Sequence, residues 1–316
     1  GYGSYSCGFI LMKGSSDIPR DIEKGLSMFR LAVEQNYKAA TRDLARYYYS
    51  LETEEDNRKA LDYYLQYIEY NPKDTDTLLH IGLIYESGLG VPLNIDLARR
   101  YYERAAEQDE TGMAYNFLGG TYMNDEETES NERKAVHYFQ KAIELGNTNA
   151  MFRISYYLHN GKGGLQVDIP REIELLTEAS KRGNHQATYR LGLLFEDNES
   201  GMAQNLELSV KYFQLAADNG ILAAINKMGE LYLFGEVIPA NLTKAISCFT
   251  AASEQGYGKA SYWLGRLHTD GIGQLEKDTQ KAMNYYRKAI EQGYEEAREW
   301  MEQLQKNLVD ETITDI

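Results

Sequence analysis

The chain has 316 residues, of which 43% are hydrophobic and 26% charged, a composition typical of a globular or solenoidal protein rather than a disordered one. Its acidic net charge of -15 disfavours binding to nucleic acid, to anionic membranes and to acidic substrates. No stretch approaches the roughly 20 consecutive apolar residues of a membrane span, so we expect no direct membrane insertion.

The cysteine content and the first residue leave the cellular compartment open. Cys7 and Cys248 are the only cysteines, too few for a disulfide framework. This mildly favours the cytoplasm, although the periplasm fits as well. Because the sequence starts at Gly1, inside a helix-like segment without a polar cap, we expect it to be trimmed and further repeats to precede it.

One phrase recurs along the whole chain, as in "LARRYYERAAEQ", "KAVHYFQKAIELG" and "KAMNYYRKAIEQG". Its small residue, here called the anchor, recurs every 35 to 38 residues as Gly25, Ala60, Ala98, Ala135, Glu172, Ser209, Ala245 and Ala282. An earlier Leu-Gly-like step accompanies each anchor, as in Ile81-Gly82 and Leu264-Gly265. Two helices per repeat follow, because each helix can bury its apolar face only against neighbours.

In chain order, the predicted repeats span approximately 1–36, 37–72, 73–109, 110–146, 147–183, 184–220, 221–256 and 257–293. Residues 294–306 form a C-terminal capping helix in this prediction, and residues 307–316 a flexible tail. The sequence therefore predicts a single all-α domain over 1–306.

Two registers mark the helix ends. Seven residues after the first member of each Leu-Gly step, the chain has a residue expected to end the first helix: Gly14, Leu51, Gly88, Asp125, Gly161, Asn198, Gly235 and Gly271. Four residues before each anchor stands a side chain expected to cap the second helix: Asp21, Asp56, Asn94, Asn131, Asp168, Asn205, Asn241 and Asp278. The Gly88-Leu-Gly90 motif, which taken alone would suggest a phosphate-binding loop, recurs in this inter-helix position and predicts a turn.

The pattern of Leu-Gly, Tyr, Gly-x-Gly-Val, Asp, Lys-Ala, Tyr-Tyr, Ala-Ala and Glu-x-Gly resembles the Sel-one-like repeat (SLR) family, a branch of the tetratricopeptide (TPR) superfamily. The resemblance covers residues 1–293. It implies a right-handed α/α superhelical solenoid of about eight helix-turn-helix repeats. The repeats depart from the pattern where Glu172 occupies an anchor and where Cys248 stands at an aromatic position.

The resemblance also implies a binding surface. In tetratricopeptide arrays, the residues two before and two after the first member of the Leu-Gly step line a concave groove. The residues expected to contact a partner are Arg42, Arg46, Leu79, Asn116, Phe152, Tyr156, Tyr189, Asn226, Tyr262 and Arg266; the same register also holds Tyr5, Phe9, Leu83, Gly120, Leu193 and Glu230. Aromatic rings beside amides suit an extended peptide or a protein edge, and Arg42 with Arg46 could hold a carboxylate.

The sequence contains no pattern that favours catalysis, a cofactor or a metal. None of the five histidines stands in an H-E-x-x-H, zinc-cluster or Ser-His-Asp context. His268 fills a repeat tyrosine position and is expected to pack in the core. Cys248 is expected to be a buried, inert thiol, and the acidic run at 125–129 a solvated turn.

We therefore expect a non-catalytic adaptor, monomeric by itself, that binds another protein or peptide. Two alternatives remain open. One is a stoichiometric inhibitor or immunity protein that caps an enzyme or toxin, and the other is a binder of a cell-wall glycan or another small ligand.

Overall fold

A computed structural model of the chain describes residues 1–14, 18–125, 128–197, 204–272 and 275–314. These residues form seventeen helices and no strand, which confirms the all-α prediction. The helices are α1 (Tyr2–Lys13), α2 (Ile22–Glu34), α3 (Lys38–Tyr49), α4 (Glu54–Tyr70), α5 (Thr75–Ser87), α6 (Ile95–Ala106), α7 (Met113–Met123), α8 (Glu129–Glu144), α9 (Thr148–Asn160), α10 (Ile169–Lys181), α11 (His185–Glu196), α12 (Leu206–Asp218), α13 (Leu222–Phe234), α14 (Leu242–Glu254), α15 (Gly258–Asp270), α16 (Thr279–Glu291) and α17 (Ala297–Thr314).

The helices form two compact units. The N-terminal unit contains Gly1–Asp168 with α1 to α9, and the C-terminal unit contains Ile169–Ile316 with α10 to α17. Within each unit, the two helices of a repeat pack against each other, and the second helix packs against the first helix of the next repeat. This is the repeated helix pair that the sequence predicts. One continuous domain over residues 1–306 stays a prediction.

The glycine of the Leu-Gly step lets the two helices of a repeat approach closely. A Cβ atom on Gly82 would lie 2.3 Å from the ring of Tyr102, which stands four residues after the anchor. Four further repeats pair a glycine with a fully buried ring in this way: Gly119 with Phe139, Gly192 with Phe213, Gly229 with Phe249, and Gly265 with Tyr286. These rings are fully buried, so they supply much of the apolar area that stabilises each repeat.

The buried ring also joins one repeat to the next. The Tyr102 ring stacks on Phe117 of the following first helix, with centroids 5.3 Å apart, and the Phe249 ring lies 5.9 Å from that of Trp263. A single repeat would leave this face open to water, so the contacts explain why the repeats fold as stacks.

Most predicted helix starts are confirmed. The side chains of Asp21, Asn94, Asn205, Asn241 and Asp278 each accept a hydrogen bond from the backbone N–H three residues later. Asp168 directly precedes α10. The prediction was wrong for Asp56 and Asn131, because α4 and α8 begin one turn earlier. There, Thr53 and Thr128 accept from the backbone N–H of Asp56 and Asn131, and acidic residues fill the extra turn, which the helix dipole favours.

The predicted first-helix ends are confirmed where the residue is glycine in the left-handed conformation, at Gly88, Gly161, Gly235 and Gly271. α1 also ends at Gly14, with a φ of 73°. In two repeats the cap is one residue earlier, at Ser50 and Asn124, and Asn198 lies outside the described residues.

The Gly-x-Gly motif is a turn. Gly88 and Gly90 have φ of 65° and 72°, and a Cβ on Gly90 would lie 2.2 Å from the carbonyl oxygen of Glu54 in the preceding repeat. The Arg58 Nε donates to the Gly90 oxygen at 2.5 Å. The second glycine is therefore needed for close contact between repeats, and this loop has no strand before it to form a phosphate-binding fold.

The C-terminal helix α17 continues to Thr314, through the segment for which the sequence predicts a flexible tail. Residues 294–316 contain no Gly or Pro, so nothing in the sequence ends the helix after residue 306. Ala297 and Leu304 of this helix pack against Tyr262 and Tyr286, in the manner of the predicted cap. None of the described helices has the length and apolarity needed to cross a membrane.

Candidate partner-binding surface

The ten residues expected to contact a partner all lie on first helices. In the N-terminal unit, α3 carries Arg42 and Arg46, α5 carries Leu79, α7 carries Asn116, and α9 carries Phe152 and Tyr156. In the C-terminal unit, α11 carries Tyr189, α13 carries Asn226, and α15 carries Tyr262 and Arg266. The register that the sequence suggested therefore selects the same kind of helix throughout.

The two arginines of α3 have separate surroundings. The Arg46 Nη2 lies 2.6 Å from the Asp76 Oδ2, and this hydrogen bond, opposed by burial, raises the pKa of Arg46. The Arg42 guanidinium instead lies over the Tyr67 ring, at 5.7 Å from its centroid. Within the described residues, the buried Arg42 Nε has no hydrogen-bond partner. A ligand carboxylate at the exposed Arg46 would therefore compete with Asp76, whereas Arg42 keeps a hydrogen-bonding group without a partner.

The other candidate contact residues of the N-terminal unit differ in their exposure to solvent. Leu79 is buried in the core, where it serves packing rather than contact with a partner. Asn116 is also buried, and its Oδ1 has no hydrogen-bond partner among the described residues. Phe152 is half-buried, whereas Tyr156 is 40% exposed and has the Lys162 Nζ 5.5 Å from its ring centroid.

The C-terminal unit contains a polar hub centred on Glu230, whose side chain is only 12% exposed. Its Oε1 accepts hydrogen bonds from the Asn226 Nδ2 at 3.0 Å, the Trp263 Nε1 at 2.9 Å and the Lys259 Nζ at 2.8 Å. Burial disfavours the charge of Lys259, but the hydrogen bond and the charge of Glu230 outweigh it and raise the Lys259 pKa. The hub fixes side chains from two successive first helices.

Rings flank the hub on neighbouring helices. Tyr189 on α11 packs against Phe213, with centroids 5.6 Å apart, and burial, together with nearby Tyr257 and Glu230, raises its pKa to about 12. On the other side, the Tyr262 ring contacts the rings of Trp263, Tyr294 and Trp300.

Arg266 joins this aromatic group. Its guanidinium lies 3.8 Å from the Trp300 centroid, a distance that gives a cation–π contact, and its Nη1 donates to the Tyr262 hydroxyl at 3.1 Å. Tyr262 and Arg266 are thus held together by direct contact. Tyr262 itself is nearly buried, so Arg266 and Trp300 form the more open part of the group.

The sequence register missed Lys259, Trp263 and Trp300. Trp263 lies one position after Tyr262 on α15 and Lys259 lies three positions before it, and both reach Glu230 in the preceding repeat. A register defined inside single repeats cannot show such a contact between repeats. The signal available in the sequence was Glu230, an acid at a groove position two residues after Met228, since a carboxylate that is largely buried requires donors from a neighbouring helix.

Other chemistry is sparse in the described part of the chain. No group of three or more His, Cys, Asp or Glu side chains there could hold a metal ion. His268 stacks on Tyr285 with centroids 5.6 Å apart, and burial lowers its pKa, as expected of a packed histidine. Cys248 is half-buried, and burial raises its thiol pKa. The acidic run at 125–129 includes residues 126–127, which lie outside the described residues.

Comparison with known proteins agrees with the repeat pattern. The Sel1 repeat matches the chain eight times, at 2–37, 38–66, 77–110, 112–147, 148–184, 185–221, 222–257 and 258–294. The Sel1-repeat-containing protein YjcO of Escherichia coli is 33% identical over 78 residues, which are 24% of this chain and 34% of YjcO. Protein sel-1 homolog 2 of Rattus norvegicus is 40% identical over 70 residues, 22% of this chain and 10% of that protein. The matches therefore span 34% and 10% of these two relatives.

A solved structure shows the same fold over a longer stretch. The crystal structure of a Sel1 repeat protein from Oxalobacter formigenes superposes with a TM-score of 0.71 at 24% identity, covering 96% of this chain and 87% of that one. Solenoids of this kind are typical of protein–protein interaction scaffolds and are generally non-catalytic. The chain belongs to the Sel1 repeat family.

Proposed function

We propose that the chain is a non-catalytic scaffold whose first helices bind an extended segment of a partner protein. The observation that carries the proposal is the Asn226 amide. It is 98% buried from water, its Nδ2 is held by Glu230, and its Oδ1 has no hydrogen-bond partner among the described residues. A buried acceptor without a donor costs about 1–3 kcal/mol, and a backbone N–H of a peptide that reaches the Oδ1 through a local movement of its cover would remove that cost.

The surroundings of Asn226 suit such a peptide. Glu230 fixes the amide orientation, because the Nδ2 is the group that donates to the carboxylate. Tyr189, Trp263 and Trp300 are only partly buried and offer ring surface for apolar side chains. Lys259 is already paired with Glu230, and Arg266 is shared between Tyr262 and Asp270. Recognition would therefore depend on backbone hydrogen bonds and ring contacts more than on charge.

Asn116 repeats the arrangement in the N-terminal unit. It stands in the same register, is buried, and has an Oδ1 without a partner in the described chain. The nearby first helix α9 carries the exposed ring of Tyr156. Each unit thus has one buried amide with an unpaired acceptor at this register position, which supports recognition of a peptide backbone within each unit.

The test uses peptides selected on the protein from a random display library, with affinities of the synthetic peptides measured by fluorescence polarisation. Asn226→Ala should weaken binding about tenfold, the loss of about 1.4 kcal/mol, and Tyr189→Ala should also weaken it. The control is Gln280→Ala, an exposed change on the second helix α16. All variants should keep the helical circular dichroism of the parent.

Two outcomes would contradict the proposal. One is that no peptide is selected, and the other is that the selected peptides bind Asn226→Ala and Tyr189→Ala as tightly as the parent. A folded enzyme or toxin bound at one-to-one stoichiometry, with no competition from the peptides, would instead favour the inhibitor alternative.

A further inference from the structure

A ladder of stacked side-chain pairs links the two helices within individual repeats. The pair joins an aromatic residue four after the first member of the Leu-Gly step to the residue three after the anchor. The pairs are Tyr48 with Tyr63, Tyr85 with Tyr101, Tyr122 with Tyr138, Phe195 with Tyr212, and His268 with Tyr285. Their centroids are 5.6 to 6.0 Å apart, and their planes differ by only 3° to 11°.

The seventh repeat has one half of this pair. Tyr232 stands on α13 at the position of the first ring, but Cys248 stands on α14 where a Tyr ring stands in the five paired repeats. The lysine that precedes the anchor is kept: the Lys244 Nζ lies 5.1 Å from the Tyr232 centroid, as the Lys134 Nζ lies 5.1 Å from that of Tyr122. The seventh repeat thus keeps the surroundings of the missing ring.

A cleft lies at this position. Its volume is about 290 Å³, and Tyr232, Cys248, Met228, Ile225 and Lys244 are among the residues that line it. An apolar cavity of about 150 Å³ is large enough to hold a benzene molecule, so the cleft has room for one ring. Its position over Tyr232 follows from a thiol taking the place of a phenol on α14.

The cleft continues into a longer groove of about 620 Å³ between α12 and α14. Met228 and Tyr232 line both spaces, and the groove adds Ile238, Pro239 and the 48% exposed side chain of Leu215. A single ring would fill the cleft and leave this apolar surface open. The groove therefore fits a partner polypeptide that presents an aromatic ring together with neighbouring apolar side chains.

We propose that this cleft is a second binding site, which takes a Tyr or Phe side chain of a partner polypeptide and stacks it on Tyr232. The incoming ring occupies the place that Tyr63, Tyr138 or Tyr285 fills within its own repeat. The site is lined by residues of α12, α13 and α14. It shares no residue with the proposed peptide surface. It does not depend on that function.

The test follows the Met228 methyl group, which lines the cleft and will sense the ring current of a bound aromatic. The protein is labelled at the methyl carbons of its nine methionines, and Met228→Leu assigns the signal. N-acetyltyrosinamide should shift the Met228 signal saturably and leave methionines of the N-terminal unit unmoved. N-acetylleucinamide should bind more weakly, because it has no ring to stack.

Two variants at one position give matched controls. Cys248→Tyr supplies the missing ring from within, so N-acetyltyrosinamide should bind at least about tenfold more weakly, and the melting temperature should rise because the void is filled. Cys248→Ser changes the thiol without filling the cleft and should bind like the parent. If Cys248→Tyr does not fold, Tyr232→Leu serves in its place, since it removes the stacking surface and should abolish the shift.

Three results would overturn the proposal. The first is the absence of a saturable Met228 shift in the parent. The second is an equal affinity in the parent and in folded Cys248→Tyr. The third is binding of free p-cresol without binding of N-acetyltyrosinamide, which would assign the cleft to a small phenol rather than to a side chain.

Discussion

Replacement of Glu230 by Ala tests whether the polar hub holds the candidate surface together. The change removes the common acceptor of Asn226, Trp263 and Lys259. Hydrogen bonds to a charged group contribute about 1.5–3 kcal/mol each, but the three do not add, because Lys259 is 39% exposed and water can replace its partner. Asn226 is only 2% exposed and would lose the partner of its Nδ2. We expect Glu230→Ala to cost about 2–4 kcal/mol of unfolding free energy.

The assay is urea unfolding followed by tryptophan fluorescence. Trp263 and Trp300 are the only tryptophans in the chain and both lie in the C-terminal unit, so fluorescence reports that unit while circular dichroism reports the helices of both. Glu230→Gln keeps a neutral acceptor and should cost about 1–2 kcal/mol. Glu236→Ala, an exposed acid close in sequence, is the matched control and should change stability by less than about 0.5 kcal/mol.

The reasoning would be refuted if Glu230→Ala matched the parent within about 0.5 kcal/mol at an unchanged urea dependence. That result would mean that water satisfies the three donors as well as the carboxylate does. A loss seen by circular dichroism but absent from the fluorescence transition would contradict the placement of the effect in the C-terminal unit.

Two further predictions concern titration and helix capping. Burial is the main cause that raises the pKa of Tyr157 and Tyr286 from 10.0 to about 12, so these groups favour the folded state below pH 10 and lose up to about 3 kcal/mol each as pH rises toward 12. Melting temperature measured against pH by circular dichroism should therefore fall above pH 10, and a flat profile would contradict this. Thr128→Ala should cost about 1 kcal/mol in urea unfolding followed by circular dichroism, since Thr128 caps α8, whereas exposed Ser130→Ala should have almost no effect. Equal stability of these two variants would mean that the cap does not matter.

The fold follows from the sequence because each rule is repeated. The anchor, the Leu-Gly step and the capping residue recur at nearly constant spacing. An ambiguous helix assignment in one repeat can therefore be resolved by comparison with the other repeats. The errors that remained came from single repeats with their own local chemistry. In the second and fourth repeats, a threonine followed by acidic residues caps the helix a turn before the residue that the register selects. Local hydrogen bonding there overrides the repeat pattern.

The candidate surface was less predictable, because side-chain exposure depends on the neighbouring repeat. Leu79 and Tyr156 stand at groove positions of the same register, yet the first is buried in the core and the second is 40% exposed. Arg46 looks free in the sequence but reaches Asp76 in the next repeat. Such pairings require the relative placement of successive helices, which residue spacing within one repeat does not contain.

Departures from the repeat pattern divide into two kinds, and the difference indicates where binding sites arise. Glu172 replaces a small anchor residue and is fully buried, but the Arg190 Nη2 on α11 lies 3.1 Å from its carboxylate, so the structure compensates the change from within. Cys248 replaces a ring and leaves a cleft over Tyr232 that no described side chain fills. A compensated departure adds a contact between helices, whereas an uncompensated one leaves the shape of a missing group. Five of the other repeats have a tyrosine ring at that position, so in this proposal the seventh repeat specifies its own ligand as an aromatic ring.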